Sequence, residues 1–227
     1  MNKALKEAIW FYTGADYLIV NSLLWCNKSG LERGIDAVYL NNIDMIKDAV
    51  EMTPEVRFGM SKEEGEWLLD AYKRRTPKEI NDLTKVEMIE TAVNDIHIIC
   101  DSMYPADTEI TLFRNVDVKN VIYQPTVGQT VTLRGVTSTN TTGQEVEYGD
   151  GVRTEYVRYI INVSLGTPIL ELENDYREEN EVILPPMQYK ITAVRDEGNL
   201  RVIELETIKT VDVDTLISSA KAALGFK

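Results

Sequence analysis

Two glutamates, Glu179 and Glu181, stand two residues apart in the stretch NDYREENEVILPP, which begins at residue 174. If Glu181 begins a β-strand, both carboxylates point to the same side of that strand. Carboxylates held this close repel each other unless a cation lies opposite them. Such a pair suits a reaction with a cationic transition state, in which one carboxylate stabilises charge and the other steers a nucleophile. A solvated acidic loop is the alternative reading.

The stretch YTGADYLIVN, which begins at Tyr12, carries aromatic and amide side chains at helical spacing. Tyr17 and Asn21 are four residues apart and therefore share a helix face. The letters TGAD resemble a capping box with Asp in place of Glu, so we predict a break there and a new helix over Ala15–Trp25. The N-terminus of such a helix would favour a phosphate. Packing of the aromatic rings in the core is the alternative.

Two strand-like stretches carry further polar side chains. In LFRNVD, Arg114 interrupts an apolar pattern, and its guanidinium can hold a phosphate through two parallel hydrogen bonds or form a structural salt bridge. In GVTSTN, alternation along a strand places Ser138 and Asn140 on one face and Thr139 on the other. The small side chains next to Gly135 leave room for a ligand, although a plain polar edge strand has the same composition.

The order of the predicted elements indicates an α+β fold, with N-terminal helices packed on a mainly antiparallel β-sandwich core. We predict one domain over 1–227, mainly helical over 1–105, mainly β over 106–210, and a C-terminal helix within 211–227. Apolar residues at intervals of three and four predict helices at Ala15–Trp25, Gly34–Val50, Lys62–Arg74, Lys85–Cys100 and Val213–Leu224. Short runs rich in Val, Ile, Thr and Tyr predict strands at Ile110–Arg114, Thr130–Leu133, Val136–Ser138, Val157–Val163, Ile169–Glu171, Glu181–Leu184, Tyr189–Arg195 and Leu200–Thr207.

The composition excludes several classes of function. The 37 acidic and 24 basic residues give a net charge of −13, which disfavours binding to nucleic acids and to anionic membranes. The chain contains no P-loop and no G-x-S-x-G elbow, and its one histidine, His97, lies in an apolar helical pattern. Two cysteines and one histidine do not make a familiar zinc site, so we expect no metal. We see no signal peptide and no apolar stretch of membrane-spanning length.

The four stretches in this order resemble the mono-ADP-ribosyltransferases of the Arg-Ser-Glu class, especially the enzymatic components of clostridial actin-modifying binary toxins and their phage-encoded relatives. The family's pocket-helix motif, Y-T-x-x-x-x-Y-x-x-x-N, is matched at Tyr12, Tyr17 and Asn21. Its strand arginine is matched by Arg114. Its F-x-S-T-S motif is matched over 136–140, and its Y-x-x-E-x-E motif is matched by Tyr176, Glu179 and Glu181.

The resemblance implies an enzyme that transfers ADP-ribose from NAD to a protein side chain, with NAD as substrate. Glu181 would hydrogen-bond the ribose and stabilise the ribosyl cation, and Ser138 would orient Glu181. Glu179 would attract an acceptor arginine and remove its proton, and Tyr176 would contact the target protein. Arg114, with Asn115 and Arg153, would hold the diphosphate. The residues expected to complete the NAD pocket are Tyr12, Tyr17 and Asn21.

The sequence departs from the family at three positions. Val136 replaces an aromatic residue, Asn140 replaces the last serine, and Asn115 stands where the family often has a second basic residue. Two alternatives therefore stay open: a non-catalytic binding or structural module with this fold, such as a phage head-associated protein, and an NAD glycohydrolase. We expect the partner to be an actin-like or bacterial host protein with an accessible arginine, and the site of action to be a cytoplasm.

Overall fold

The computed structural model describes residues 1–117, 122–143, 156–172, 180–198 and 200–225. Two compact units make up the chain: a helical unit of residues 1–102 and 214–227, and a β unit of residues 103–213. In the described residues the helical unit contains α1 (Lys3–Phe11), a π-helical turn (Tyr12–Asp16), α2 (Tyr17–Leu24), α3 (Lys28–Glu51), α4 (Pro54–Phe58), α5 (Lys62–Arg75), α6 (Asp82–Asp101) and α7 (Val213–Leu224).

Capping side chains explain where several helices begin. Asn27 Oδ1 accepts a hydrogen bond from the Gly30 N–H at 3.0 Å, so α3 begins six residues before the predicted Gly34. Asn81 and Thr84 form a reciprocal capping box that starts α6 at Asp82. Ser61 caps α5, because its Oγ accepts a hydrogen bond from the Glu64 N–H at 3.3 Å. The C-terminal helix lies at Val213–Leu224, as predicted.

The predicted helix break at residues 13–16 is wrong, because the chain stays helical from α1 to α2 through a π-helical turn. Thr13 does not cap a new helix, since its hydroxyl donates to the Ile9 carbonyl at 2.8 Å. The carboxylate of Asp16 does not cap either, because it lies 3.4 Å from Arg75 Nη1 in the interior of the unit. The expected helix N-terminus for a phosphate is therefore absent from this segment.

The buried carboxylate of Asp16 belongs to a cluster of charges centred on Arg75. The Arg75 fork donates to both carboxylate oxygens of Asp95, at 2.6 and 2.9 Å, and its Nε donates to Glu7 at 3.2 Å. The guanidinium also lies 3.8 Å from the centre of the Phe11 ring. Asp16 and Asp95 are both buried. Three carboxylates thus surround one guanidinium, and Arg75 ties α5 to α1, to the π-helical turn and to α6.

The β unit contains nine strands in the described residues, and they form one mainly antiparallel sheet. The strands are β1 (Tyr104–Pro105), β2 (Ile110–Asp117), β3 (Thr130–Leu133), β4 (Thr137–Asn140), β5 (Tyr156–Val163), β6 (Pro168–Glu171), β7 (Glu181–Leu184), β8 (Met187–Glu197) and β9 (Leu200–Thr210). Their order is β1-β6-β7-β4-β2-β5-β9-β8-β3, and only the β5–β9 pair is parallel among the paired strands described. The predicted α+β class, with helices first and a mainly antiparallel sheet after them, is confirmed.

One face of this sheet carries the apolar core of the β unit. Alternating residues of the central strands are buried there, including Leu112, Ile161, Leu184, Ile191 and Leu205. Of the two strands that form the candidate site, β7 lies at Glu181–Leu184 as predicted, and β4 differs from the prediction at both ends. The predicted strand Val136–Ser138 lies instead at Thr137–Asn140, because Asn140 Oδ1 accepts from the Gly143 N–H at 2.9 Å and makes the turn that follows the strand.

Asp16 makes the stability of the fold depend on pH. Burial, opposed by Arg75 and reinforced by Asp95, raises the pKa of Asp16 from 3.8 to about 7. Between about pH 4 and pH 7, Asp16 is therefore protonated in the folded state but ionised in the unfolded state. The free energy of unfolding falls as the pH rises through that window. We expect Asp16→Asn, which mimics the protonated acid, to flatten this decline, measured by urea unfolding from pH 4.5 to pH 8.

The matched control for this experiment is Asp70→Asn on α5, because Asp70 is exposed and its replacement removes the same charge. The control is expected to keep the wild-type slope. A wild-type stability that rises from pH 5 to pH 7, or an Asp16→Asn variant with the wild-type slope, would contradict the assignment.

Candidate active site

The antiparallel pairing of β4 with β7 brings two of the predicted site residues together. The register pairs Asn140 with Glu181 and Ser138 with Ile183, so Ser138 and Glu181 are diagonal neighbours on one face of the sheet. The Ser138 hydroxyl donates a hydrogen bond to Glu181 Oε1. Both side chains are half-buried, which leaves them in reach of a ligand. This pair is the centre of the candidate active site.

Thr139 holds the same two strands together from the opposite face. Its side chain is buried, and its hydroxyl donates to the Val182 carbonyl at 2.6 Å. The buried Thr137 and Thr139 alternate with the half-buried Ser138 and Asn140, which confirms the predicted facing of this strand. The pairing therefore combines a backbone ladder with one side-chain hydrogen bond on each face.

The turn into β7 is made by Asn180, which adopts the left-handed conformation with φ 45°. Asparagine is one of the few residues other than glycine that tolerates this region. The strand β7 then begins at Glu181, as predicted. Glu179 itself, together with Tyr176 and Arg153, lies outside the described residues.

Arg114 lies on β2 and contacts the backbone of the site. Its Nη1 donates to the Ser138 carbonyl at 2.9 Å, and its register partner on β5 is the buried Tyr159. Desolvation raises the pKa of Tyr159, and the nearby Arg114 charge opposes that rise; the pKa of Tyr189 responds in the same way. The guanidinium thus lies on the face of the sheet that carries the tyrosine-containing core, and not on the face of the Ser138 side chain.

Asn115, the neighbour of Arg114, points to the opposite face, as strand alternation requires. Its Oδ1 accepts a hydrogen bond from Arg158 Nε at 3.1 Å, and Arg158 is its register partner on β5. The sequence interpretation did not single out Arg158. Like Arg114, Arg158 is a lone basic residue inside a run of apolar strand residues, and this pattern could have marked it as a candidate.

The three remaining predicted residues belong to the helical unit. Tyr12 is buried in the π-helical turn, and Tyr17 on α2 is 42% exposed. Asn21, one turn after Tyr17, has a buried Oδ1 with no hydrogen-bond partner among the described residues. Gly34 lets α3 approach this helix closely, since a Cβ there would lie 3.0 Å from the Leu18 backbone.

The part of the chain that the structure describes holds no group of three or more His, Cys, Asp or Glu side chains able to bind a metal. None of its helices is both long and apolar enough to cross a membrane.

The hydroxyl of Thr139 gives a direct test of the strand pairing. We expect Thr139→Val to lower the free energy of unfolding by about 1–3 kcal/mol, because it removes a buried hydrogen bond while nearly preserving the side-chain volume. Thr130→Val on β3 is the control, since Thr130 is exposed. Equal stabilities of the two variants in urea unfolding would show that the Thr139–Val182 bond does not hold β4 against β7.

Comparison with solved structures finds proteins of similar fold at low sequence identity. The catalytic domain of VahC from Aeromonas hydrophila is 13% identical, with a TM-score of 0.49, over 92% of this chain and 100% of that one. The Clostridium limosum C3 exoenzyme is 14% identical, with a TM-score of 0.46, over 92% and 87%. The ADP-ribosylating toxin BECa of a C. perfringens binary enterotoxin, solved with NADH, is 12% identical, with a TM-score of 0.45, over 91% and 49%.

No model of a known protein family matches the chain, and no curated protein matches it either. At the identities found, the similarity to solved structures concerns the course of the chain and does not identify the residues that act.

Proposed function

We propose that this chain is an NAD-dependent mono-ADP-ribosyltransferase that modifies an arginine of a target protein. The observation that carries the proposal is the hydrogen bond from Ser138 to Glu181, which presents an oriented, half-buried carboxylate on a pair of hydrogen-bonded strands. Such a carboxylate suits a reaction that develops positive charge on a sugar. The motif order around this pair, from Tyr12 to Glu181, supports NAD as the sugar donor.

In the proposed reaction, Glu181 accepts a hydrogen bond from the nicotinamide ribose and stabilises the cation that forms there. The bond from C1′ to the nicotinamide nitrogen breaks, and its electron pair leaves with nicotinamide. A guanidine nitrogen of the acceptor then forms a bond to C1′, and Glu179 takes the proton that this nitrogen releases. Ser138 keeps Glu181 in one orientation throughout, because its hydroxyl donates its hydrogen bond to the Glu181 carboxylate and not to the substrate.

Arg114 has a positioning role in this scheme. Its bond to the Ser138 carbonyl fixes the backbone from which the Ser138 hydroxyl projects. Tyr12, Tyr17 and Asn21 keep the role expected from the resemblance, toward NAD. Arg153 and Tyr176 keep the roles expected from the resemblance, toward the phosphates and toward the target protein.

The proposal is tested by transfer of labelled ADP-ribose from NAD to proteins of a host lysate. We expect Glu181→Gln to lower the rate by about 100-fold or more, because the amide carries no charge to stabilise the ribosyl cation. Ser138→Ala is expected to lose less, since the carboxylate remains. Glu206→Gln, an exposed change of the same kind on β9, is the control.

Three outcomes of this assay separate the candidate functions. Label released by an arginine-specific ADP-ribosyl hydrolase identifies arginine as the acceptor. Nicotinamide release without any labelled protein would indicate an NAD glycohydrolase. Wild-type protein that neither labels proteins nor releases nicotinamide at saturating NAD would leave a non-catalytic module with this fold.

The proposed base is tested with a small guanidine compound, agmatine, as acceptor. We expect Glu179→Gln to lose transfer to agmatine while it still releases nicotinamide, because the cation forms at Glu181 but the guanidine is neither attracted nor deprotonated. Mass spectrometry of ADP-ribosyl-agmatine and a parallel nicotinamide assay measure the two steps. Glu178→Gln, in the same acidic stretch, is the control, and a Glu179→Gln variant with wild-type transfer would exclude this role.

A further inference from the structure

Asn140 is a direct cross-strand neighbour of Glu181 in the candidate active site. The register of β4 and β7 places these two residues opposite each other, and Ser138 lies diagonally from Glu181 on the same face. Directly opposite residues of an antiparallel pair have Cβ atoms about 4.5–5.5 Å apart. Like Ser138 and Glu181, Asn140 is half-buried. A ligand held by Glu181 is therefore within reach of the Asn140 amide.

A backbone hydrogen bond fixes the orientation of the Asn140 amide. Its Oδ1 accepts from the Gly143 N–H at 2.9 Å. Only the oxygen of an amide can accept this bond, so the bond identifies the other branch of the side chain as Nδ2, which can donate two hydrogen bonds. Asn140 therefore offers donors on the face of the sheet where Glu181 offers acceptors.

The ring of Phe113 supports the turn that carries Gly143. Phe113 on β2 is the register partner of Asn140 on the side away from Glu181. Gly143 has φ 64°, and a Cβ built on it would lie 3.4 Å from three atoms of that ring. This backbone conformation favours glycine, and the ring leaves little room for a side chain. Phe113 and Gly143 therefore hold the Asn140 amide from the side opposite the carboxylate.

A ribose carries the groups that match this pair of side chains. Its 2′- and 3′-hydroxyls are neighbours, and each hydroxyl can both donate and accept a hydrogen bond. The 2′-hydroxyl is adjacent to C1′, where the proposed reaction develops charge, so it is the hydroxyl expected to donate to Glu181. The oxygen of the 3′-hydroxyl then lies next to it as an acceptor, and the amide donor opposite Glu181 complements it.

We propose that Asn140 binds the 3′-hydroxyl of the nicotinamide ribose through Nδ2. The inference rests on the proposed function and deepens it, because it adds a substrate contact at a position where the resembled family has serine. The donor of an asparagine side chain lies one bond further from the backbone than that of serine, so it extends further toward a ligand. Asn140 would thereby make the enzyme selective for a ribose that carries its 3′-hydroxyl.

The test compares NAD with an analogue that lacks the 3′-hydroxyl of the nicotinamide ribose. Release of nicotinamide gives kcat/KM for both compounds with wild type and with Asn140→Ala. We expect wild type to prefer NAD by about 5- to 30-fold, the range for a hydrogen bond whose loss leaves one partner unpaired. In Asn140→Ala the preference is expected to fall to roughly 3-fold or less, because the donor that recognises the hydroxyl is gone.

A role of Asn140 in the turn alone predicts a different result. Loss of the Gly143 bond would lower kcat/KM for both compounds by the same factor and leave the preference unchanged. The matched control is Asn162→Ala on β5, which is expected to keep the wild-type preference. Asn162 is also half-buried, and its Oδ1 accepts from the Thr111 hydroxyl at 3.2 Å.

The outcomes separate this inference from the proposed function. If wild type uses both compounds equally well, or if Asn140→Ala keeps the wild-type preference, the inference fails and the transferase proposal stands. If wild type neither binds NAD nor releases nicotinamide, both fail. If wild type binds NAD without turnover, the transferase proposal fails, and the same comparison of dissociation constants decides the inference.

A second variant covers the case in which Asn140→Ala does not fold, as judged by its circular dichroism and melting curve. Asn140→Ser then decides, because its hydroxyl is too short to replace Nδ2. We expect this variant to prefer NAD less than wild type does, and a wild-type preference in it overturns the assignment.

Discussion

The pairing of β4 with β7 is the constraint on which the candidate site depends. These strands are four residues each, so few backbone hydrogen bonds hold them, and the side chains add one bond on each face. Thr139 donates to Val182 on the buried face, and Ser138 donates to Glu181 on the other. Because a shift of one residue would move Ser138 and Glu181 to opposite faces, the bond made by Thr139 and the apolar Val182 and Leu184 fix the register that the chemistry needs.

The helical unit meets a different constraint, since it buries more negative than positive charge. Arg75 can satisfy Asp95 through its fork, but Asp16 and Glu7 compete for the same guanidinium, so one carboxyl is best kept protonated. The burial of Asp16 also dictates the local backbone. A π-helical turn widens the helix at the point where the Asp16 carboxylate reaches Arg75. This contact therefore sets the backbone path of the segment that carries Tyr12 and Tyr17.

Much of this fold can be predicted from sequence because its signals are local. Periodic apolar residues located the long helices, and alternation along GVTSTN predicted which hydroxyls are buried. The helix break was predicted wrongly because the conformation at Asp16 depends on Arg75, 59 residues away. The five-residue α4 is too short to show a period, and the parallel pairing of β5 with β9 is a non-local choice that no strand pattern encodes. The pairing of Ser138 with Glu181 was predicted only through family motifs.

Arg114 and Arg158 look alike in sequence, since each is a lone cation in an apolar strand, yet the sheet places them on opposite faces. Register places Arg114 opposite Tyr159 and Arg158 opposite Asn115, so the two guanidiniums leave the sheet on different faces. The inward one serves the backbone of β4, because a partly buried guanidinium is stabilised by a carbonyl that needs a donor. The outward one donates through Nε to its register partner Asn115. Strand parity, more than residue type, therefore decides which of the two arginines supports the backbone of the site.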